Sequence, residues 1–261
     1  MTGDLGETIA VLAGELPFSH IVAWAGVLRS AEGPGDDVLT RLIEARPAAA
    51  PHAVRFVDAW RKHAPALPGA GLGLALEAAA RVHLAEEARR PSIVVSGPTS
   101  DAVAVRLTVS AVTEILRAAR ESLLVVSFAA HGVDEIAQEL AAAAERGVQI
   151  DLVLETGVEE GGTLRGRSSA AAFRLLTGKA TFWTWPPHNR PAGAALHAKL
   201  LAADEQIALL GSANLTARAL LTNIEIGVIL RDPDTVGRIV THLRALMRPG
   251  IGPLEPVPDR R

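Results

Sequence analysis

Residues 123–155 read LLVVSFAAHGVDEIAQELAAAAERGVQIDLVLE, and their order indicates the kind of fold this chain makes. LLVVSFA is a continuous apolar run of the type found in interior strands. VDEIAQELAAAAERG has helical amphipathicity and stops at Gly147, and VQIDLVLE is a second strand. Strand, helix, strand in that order predicts a parallel pair joined by a crossover helix. Upstream, SIVVSGP (92–98) reads as a short buried strand, and residues 108–120 as a helix. Downstream, TGVEEGGTLRGRSS reads as a flexible segment, followed by a helix near 169–177, a strand ATFWTW and the proline-rich loop PPHNRPAG. NIEIGVILR (223–231) is another strand, and PDTVGRIVTHLRALM a closing helix with Pro233 in its first turn. Residues 91–250 thus read as an α/β domain, a mixed sheet flanked by helices. Residues 251–261, rich in proline and glycine, read as a disordered tail.

Residues 1–90 read as helices. Leu5, Ile9, Leu12 and Leu16 share one stripe, and Ile21, Trp24, Ala25 and Leu28 continue after the break at Pro17. Val38, Leu42 and Ile43 mark a third helix. His52 to His63 makes a fourth that is expected to bury Val54, Val57 and Trp60, and residues 72–89 a fifth. His20, His52, His63 and His83 have no metal-ligand spacing. The chain has 261 residues, 49% of them hydrophobic and 21% charged, with a net charge of -3 and no cysteine. A disulfide, a thiol nucleophile and a thiolate zinc site are therefore excluded, and nothing global marks a nucleic-acid binder. The acidic first residues do not resemble a secretory signal. No apolar run approaches the ~20 residues that cross a bilayer. A soluble, cytoplasmic protein is expected.

The chemistry concentrates in ALHAKLLAADEQIALLGSANLT, residues 195–216. LHAKLLA and QIALLGS pair as antiparallel strands about a turn at Ala203-Asp204-Glu205. Residues two apart on a strand share a face, so His197 and Lys199 project together. The second strand brings the chain back to Gly211, Ser212 and Asn214 at the same end. Gly211 lets backbones approach closely. An imidazole, a cation and two uncharged hydrogen-bonding side chains suit a tetrahedral anion such as phosphate. The plainer reading is an ordinary hairpin with scattered polar residues. Against it, His-x-Lys-x4-Asp-x6-Gly-Ser-x-Asn fixes six residues over eighteen positions.

That pattern resembles the HKD signature of the phospholipase D superfamily, with every element at the family spacing. Glu225 stands where the family carries a glutamate that orients the histidine. The order of strands and helices from about 105 to 247 is similar to one repeat of the fold. The resemblance implies a phospholipase D-like mixed sheet flanked by helices, preceded here by the helical region. It implies that His197 attacks phosphorus and forms a phosphohistidine. Lys199 and Asn214 would hold the non-bridging oxygens, with Ser212 a further hydrogen bonder to the phosphate or the histidine pair. Glu225 would fix the imidazole tautomer. Asp204 is read as structural, a turn former. The chemistry implied requires no metal and no cofactor.

Two histidines are needed, one to attack and one to protonate the leaving oxygen, and that acid help is worth ~100 to 10,000-fold. This chain has one His-x-Lys. Single-copy members of the superfamily resolve this as homodimers whose two motifs meet at the two-fold axis. A homodimer with one composite site is therefore expected, with strands around Leu196–Leu200 and Ala208–Leu210 in the interface. Another acid from within the chain, His131, and a degenerate site are the alternatives. The substrate is open among nucleic acid and lipid, because fold and motif fix only phosphodiester chemistry. Arg165, Arg167, Arg174, Lys179 and Arg190 could line a groove for a nucleic-acid backbone, and Trp183 and Trp185 could stack bases or pack a strand on a helix. Chain length, the helical start and the segment from Ser127 to Glu155 further resemble the phospholipase D-like component of DISARM bacterial anti-phage defence systems. That implies helicase and methyltransferase partners, and favours a nuclease over a lipase. A non-catalytic subunit that binds nucleic acid or a defence partner through its phosphate pocket is the contrasting class.

Overall fold

The computed structural model describes residues 4–102, 105–158, 162–165 and 169–257, which fall into two compact units, Met1–Ala88 and Arg89–Arg261. The first is helical: α1 (Leu5–Glu15), α2 (Phe18–Leu28), α3 (Asp36–Ala45), α4 (Ala50–His63) and α5 (Gly69–Arg89). Asp4 caps α1 by accepting from the Glu7 N–H at 2.8 Å. Its core stacks Trp24 on Phe56 (ring centroids 6.3 Å), and both buried indoles donate to carbonyls, Trp24 to Leu42 and Trp60 to Leu67 at 3.0 Å each. Val54 does not join this core: it is 41% exposed, and α4 buries Ala53, Phe56, Val57 and Trp60. The i, i+3, i+4, i+7 stripe that starts at Ala53 passes beside Val54 rather than through it.

The second unit is built on a nine-stranded mixed sheet. Its strands are β1 (Ser92–Ser96), β2 (Arg106–Leu107), β3 (Ser122–Ser127), β5 (Gln149–Leu154), β6 (Thr181–Thr184), β7 (Leu200–Ala203), β8 (Ile207–Gly211), β10 (Glu225–Leu230) and β11 (Glu255–Pro256). They lie in the order β11-β6-β5-β3-β7-β8-β10-β1-β2. A second, two-stranded sheet pairs β4 (Ala130–His131) in parallel with β9 (Leu215–Thr216). The helices are α6 (Thr108–Ala118), α7 (Asp134–Glu145), α8 (Ala217–Leu221) and α9 (Pro233–Leu246). The β3–α7–β5 unit is the parallel crossover that its sequence predicts, with six residue pairs from Ser122↔Gln149 to Ser127↔Leu154. β7 then joins β3 antiparallel, which makes the sheet mixed.

The strand period sorts side chains to two cores. Leu123, Val125, Ile150, Leu152 and Leu201 pack with α6, α7 and the 3-10 turns of 169–176. Leu124, Val126, Val153, Leu200 and Ala208 pack with Val236 and Val240 of α9. The central strands are covered on both faces. Leu200 is 6%, Ala208 0% and Leu209 8% exposed, so the expected placing of Leu196–Leu200 and Ala208–Leu210 in a subunit interface is corrected for these three residues, whereas Leu196 and Leu210 are half-buried and Ala198 is exposed. These strands are sheet interior, and only their ends reach solvent.

The tail expectation is corrected as well for the residues described. β11 pairs antiparallel with β6 (Glu255↔Thr184, Pro256↔Trp183), and the Val257 N–H donates to Phe182 O at 2.8 Å. Glu255 also binds His188 (2.9 Å) and Asn189 Nδ2 (3.0 Å), while Leu254 is buried beneath α9. Low complexity did not prevent order, because the β6 edge offers unpaired backbone groups. Residues 258–261 lie outside the described residues. Among the described residues no helix is long and apolar enough to cross a membrane.

Candidate active site

The site forms where β7, β8 and β10 end on the same side of the sheet. The β7–β8 hairpin closes tightly, with Asp204 (φ 54°) and Glu205 (φ 56°) both left-handed and the Gln206 N–H donating to Ala203 O at 3.0 Å. Positive φ at two successive positions matches the twist of a hairpin. Asp204 is suited to it because its carboxylate accepts three backbone N–H groups: Glu121 (2.8 Å) and Ser122 (2.9 Å) on one oxygen, Arg120 (2.9 Å) on the other. Desolvation pushes its pKa up, but the N–H groups of Ser122, Glu121 and Arg120 outweigh that and hold it below its ordinary value. Asp204 thus ties the hairpin to the start of β3, at the opposite end of β7 from His197.

Gly211 faces Gly227 across β8 and β10. A Cβ on Gly211 would meet the Gly227 Cα at 2.8 Å, and one on Gly227 would meet Leu210 O at 2.9 Å. The glycine of the motif is required by this close approach, which carries the chain into Ser212. Ser212 stays bonded to β10: its N–H donates to Ile226 O (3.1 Å) and its hydroxyl to Glu225 Oε2 (2.5 Å). The other carboxylate oxygen, Oε1, accepts from Asn223 Nδ2 at 3.1 Å.

His197 and Lys199 precede β7 rather than lie within it, in extended chain that enters the strand at Leu200. Their side chains nevertheless converge. Lys199 Nζ lies 3.0 Å from His197 Nδ1 and donates to His197 O at 2.7 Å. Desolvation lowers the Lys199 pKa, opposed by the charge of Glu225. With a protonated Lys199 donating to Nδ1, the ring proton sits on Nε2. His197 is exposed, and Asn214 is half-buried with its Oδ1 shielded from solvent and unpartnered. Glu225 is engaged by Ser212 and Asn223 rather than by the imidazole of its own chain.

Three residues beyond the motif shape the site. Phe128, one residue past β3, packs its ring on His197 (centroids 5.1 Å, 56° between planes) and lies 5.8 Å from Lys199 Nζ. Asn223 holds Glu225, as described. Glu155, one residue past β5, is 1% exposed and forms a buried ion pair with Arg190. Arg190 Nη1 and Nη2 each reach Glu155 Oε1 at 3.0 Å, and Glu155 Oε2 accepts the N–H of Leu196 at 2.7 Å. The loop into His197 is therefore fastened from beneath. A carboxylate that ends a buried strand was the available sequence signal for Glu155. An aromatic at the same boundary was the signal for Phe128.

Arg190 is accordingly corrected as a groove-lining cation: its side chain is 6% exposed and its charge is answered by Glu155. Trp183 and Trp185 are half-buried against the α9 core. Trp183 donates to Asp151 Oδ1 (2.8 Å) and Trp185 to Asn189 O (2.9 Å), and Arg190 stacks on the Trp185 ring at 5.3 Å. Packing therefore describes Trp183, whereas Trp185 also lines a groove that contains His197. Lys179 pairs with Glu145 (3.1 Å), Arg165 and Arg174 are exposed, and Arg167 lies outside the described residues. His131 is exposed on β4, whose partner β9 begins one residue after Asn214. Among the described residues no group of three or more His, Cys, Asp or Glu is placed to hold a metal ion.

Comparison with known proteins agrees with the motif. The DISARM protein DrmC of Bacillus paralicheniformis is 28% identical over 137 residues, 51% of this chain and 53% of that protein. The chain thus matches about half the length of this curated relative. Two solved structures are similar over 59% of this chain and 93% of theirs: Nuc of Salmonella typhimurium, a phospholipase D family member (25% identity, TM-score 0.44), and NucT from Helicobacter pylori (16%, 0.47). The family described as cardiolipin synthase, PLD-like domain, matches residues 112–247, from within α6 to the end of α9. With half of its length, and every motif residue, inside that match, the chain belongs to this phospholipase D-like family and so to a superfamily of phosphodiesterases.

Proposed function

We propose that the protein is a phosphodiesterase that works through a phosphohistidine at His197, and that its substrate is nucleic acid. The observation that carries this reading is the convergence of His197 and Lys199 beside the Ser212–Glu225 pair. A bound phosphate would draw Lys199 Nζ from Nδ1 onto a non-bridging oxygen. The imidazole can then change tautomer, its proton moving from Nε2 to Nδ1, which leaves Nε2 free to attack phosphorus. A second acid protonates the departing oxygen. Water, deprotonated by that same group, then displaces the phosphorus from Nε2, giving an alcohol and a phosphomonoester. Lys199 and Asn214 hold the developing negative charge, and the Ser212 hydroxyl can join them only by turning its one O–H from Glu225 to the phosphate.

The second acid is the His197 of a second copy in a homodimer. His131, one strand from Asn214, is the candidate within the chain. Similarity to DrmC supports a role in anti-phage defence, alongside other proteins of such a system. The test is cleavage of labelled single- and double-stranded DNA, RNA and phosphatidylcholine in excess EDTA. Retained hydrolysis of a nucleic acid, with a phosphohistidine trapped by acid-free quenching and absent from His197→Asn, is the expected result. Activity that disappears in EDTA and returns with magnesium would remove the mechanism.

A further inference from the structure

Beside His197 runs a groove of about 1020 Å³, lined by Trp185, His197 and Lys199 and by Thr235, Arg238 and His242 of α9. None of its lining residues is Asp or Glu, although the chain as a whole carries a net charge of -3. Arg238 and His242 are four residues apart on one helix face. Both are exposed, and neither makes a hydrogen bond or ion pair among the described residues. Arg244, on the same helix but outside the groove, is answered by Glu205. Two basic side chains are thus left unpaired where they face the groove. The rest of the lining is largely apolar and includes Trp185 with Ile239 and Leu243 of α9.

We infer that this groove holds the strand flanking the reacting phosphate of a single-stranded nucleic acid. Arg238 and His242 bind the neighbouring phosphate, and the apolar wall with Trp185 receives the intervening base. This rests on the reading of His197 as the reacting group. A site for one phosphate needs only a fraction of this volume, which suits a ligand of one or two nucleotides. A second basic locus along the groove calls for a second anion along the ligand. A repeating phosphodiester supplies it and a lipid with one phosphate does not. Base contact with an apolar or aromatic wall and phosphate contact with cations is the usual division of labour for single strands.

Binding is read without turnover by fluorescence anisotropy, with a short fluorescein-labelled single-stranded oligodeoxynucleotide and protein carrying His197→Asn. Adding Arg238→Gln and His242→Gln should weaken binding about tenfold, and should make the slope of log K against log salt shallower by about 0.7 for each phosphate no longer neutralised. Arg248→Gln, exposed beyond the end of α9 and outside the groove, should leave both unchanged. The groove assignment is overturned if the His197→Asn protein does not bind the oligonucleotide, or if the double variant binds it equally well. It is also overturned if binding is instead to phosphatidylglycerol vesicles and is that binding which the two substitutions reduce. An oligonucleotide held through Arg238 and His242 but never cleaved by the unsubstituted protein would sink the hydrolase reading and leave the binding site standing.

Discussion

Three backbone N–H groups point at the Asp204 carboxylate, and their number sets what the residue can do. Asp204→Ala leaves them without a protein partner and places alanine at positive φ. A loss of about 2 kcal/mol is expected, at the modest end because the site is partly open to water. The folded pKa lies below its ordinary value of 3.8. Its contribution is therefore complete above the unfolded pKa and fades as pH falls through the folded one. Urea melts of wild type and Asp204→Asn should converge in acid, and a gap that persists below that range would refute the assignment. His197 is the opposite case. It is exposed and holds no part of the core, so His197→Asn should lose activity with a melting temperature close to that of wild type. The convergence of His197 and Lys199 was legible because residues two apart in extended chain share a face. The partners of Glu225 were not legible, because a side chain chooses among nearby donors by rotamer, and no spacing encodes that choice.

Elements were read best where the pattern is local. The β3–α7–β5 crossover follows from apolar runs around an amphipathic helix, and the β7–β8 hairpin from a polar turn between apolar strands. Elements held by distant partners were misread or missed. The loop from Trp185 to Leu196 shows no regularity in sequence, yet it is fixed through Glu155, some forty residues upstream. Removing one member of such a buried pair strands the other's charge, so Glu155→Gln or Arg190→Met should cost about 3–5 kcal/mol. Replacing both with apolar residues, Glu155→Leu with Arg190→Met, should recover most of that stability. It should not recover activity, since the Leu196 N–H still lacks its acceptor and His197 follows directly. Thermal melts and hydrolysis rates measured on the same three proteins separate the two effects. A double variant that regains both would show that the pair is only structural.

At the scale of the whole molecule, one chain presents one motif histidine to the proposed reaction, which uses two. If the second comes from another copy, wild-type and His197→Asn subunits allowed to exchange should lose activity as the square of the wild-type fraction. A decline in simple proportion would place the acid within the chain and direct attention to His131. The change from helical to mixed composition near residue 90 was legible in sequence, as was the sheet's α/β character. The order of residues 251–257 was not, because Pro253 and Pro256 suggest disorder when read locally. In the fold they have a different consequence. β11 covers the edge of β6, and Pro256 has no N–H to offer a further strand. The segment is thus expected to block strand-to-strand pairing at this edge. A protein shortened after Pro249 should expose the β6 edge with Phe182 and Trp183 and form insoluble, strand-paired assemblies on warming, at concentrations where the full chain stays clear by light scattering.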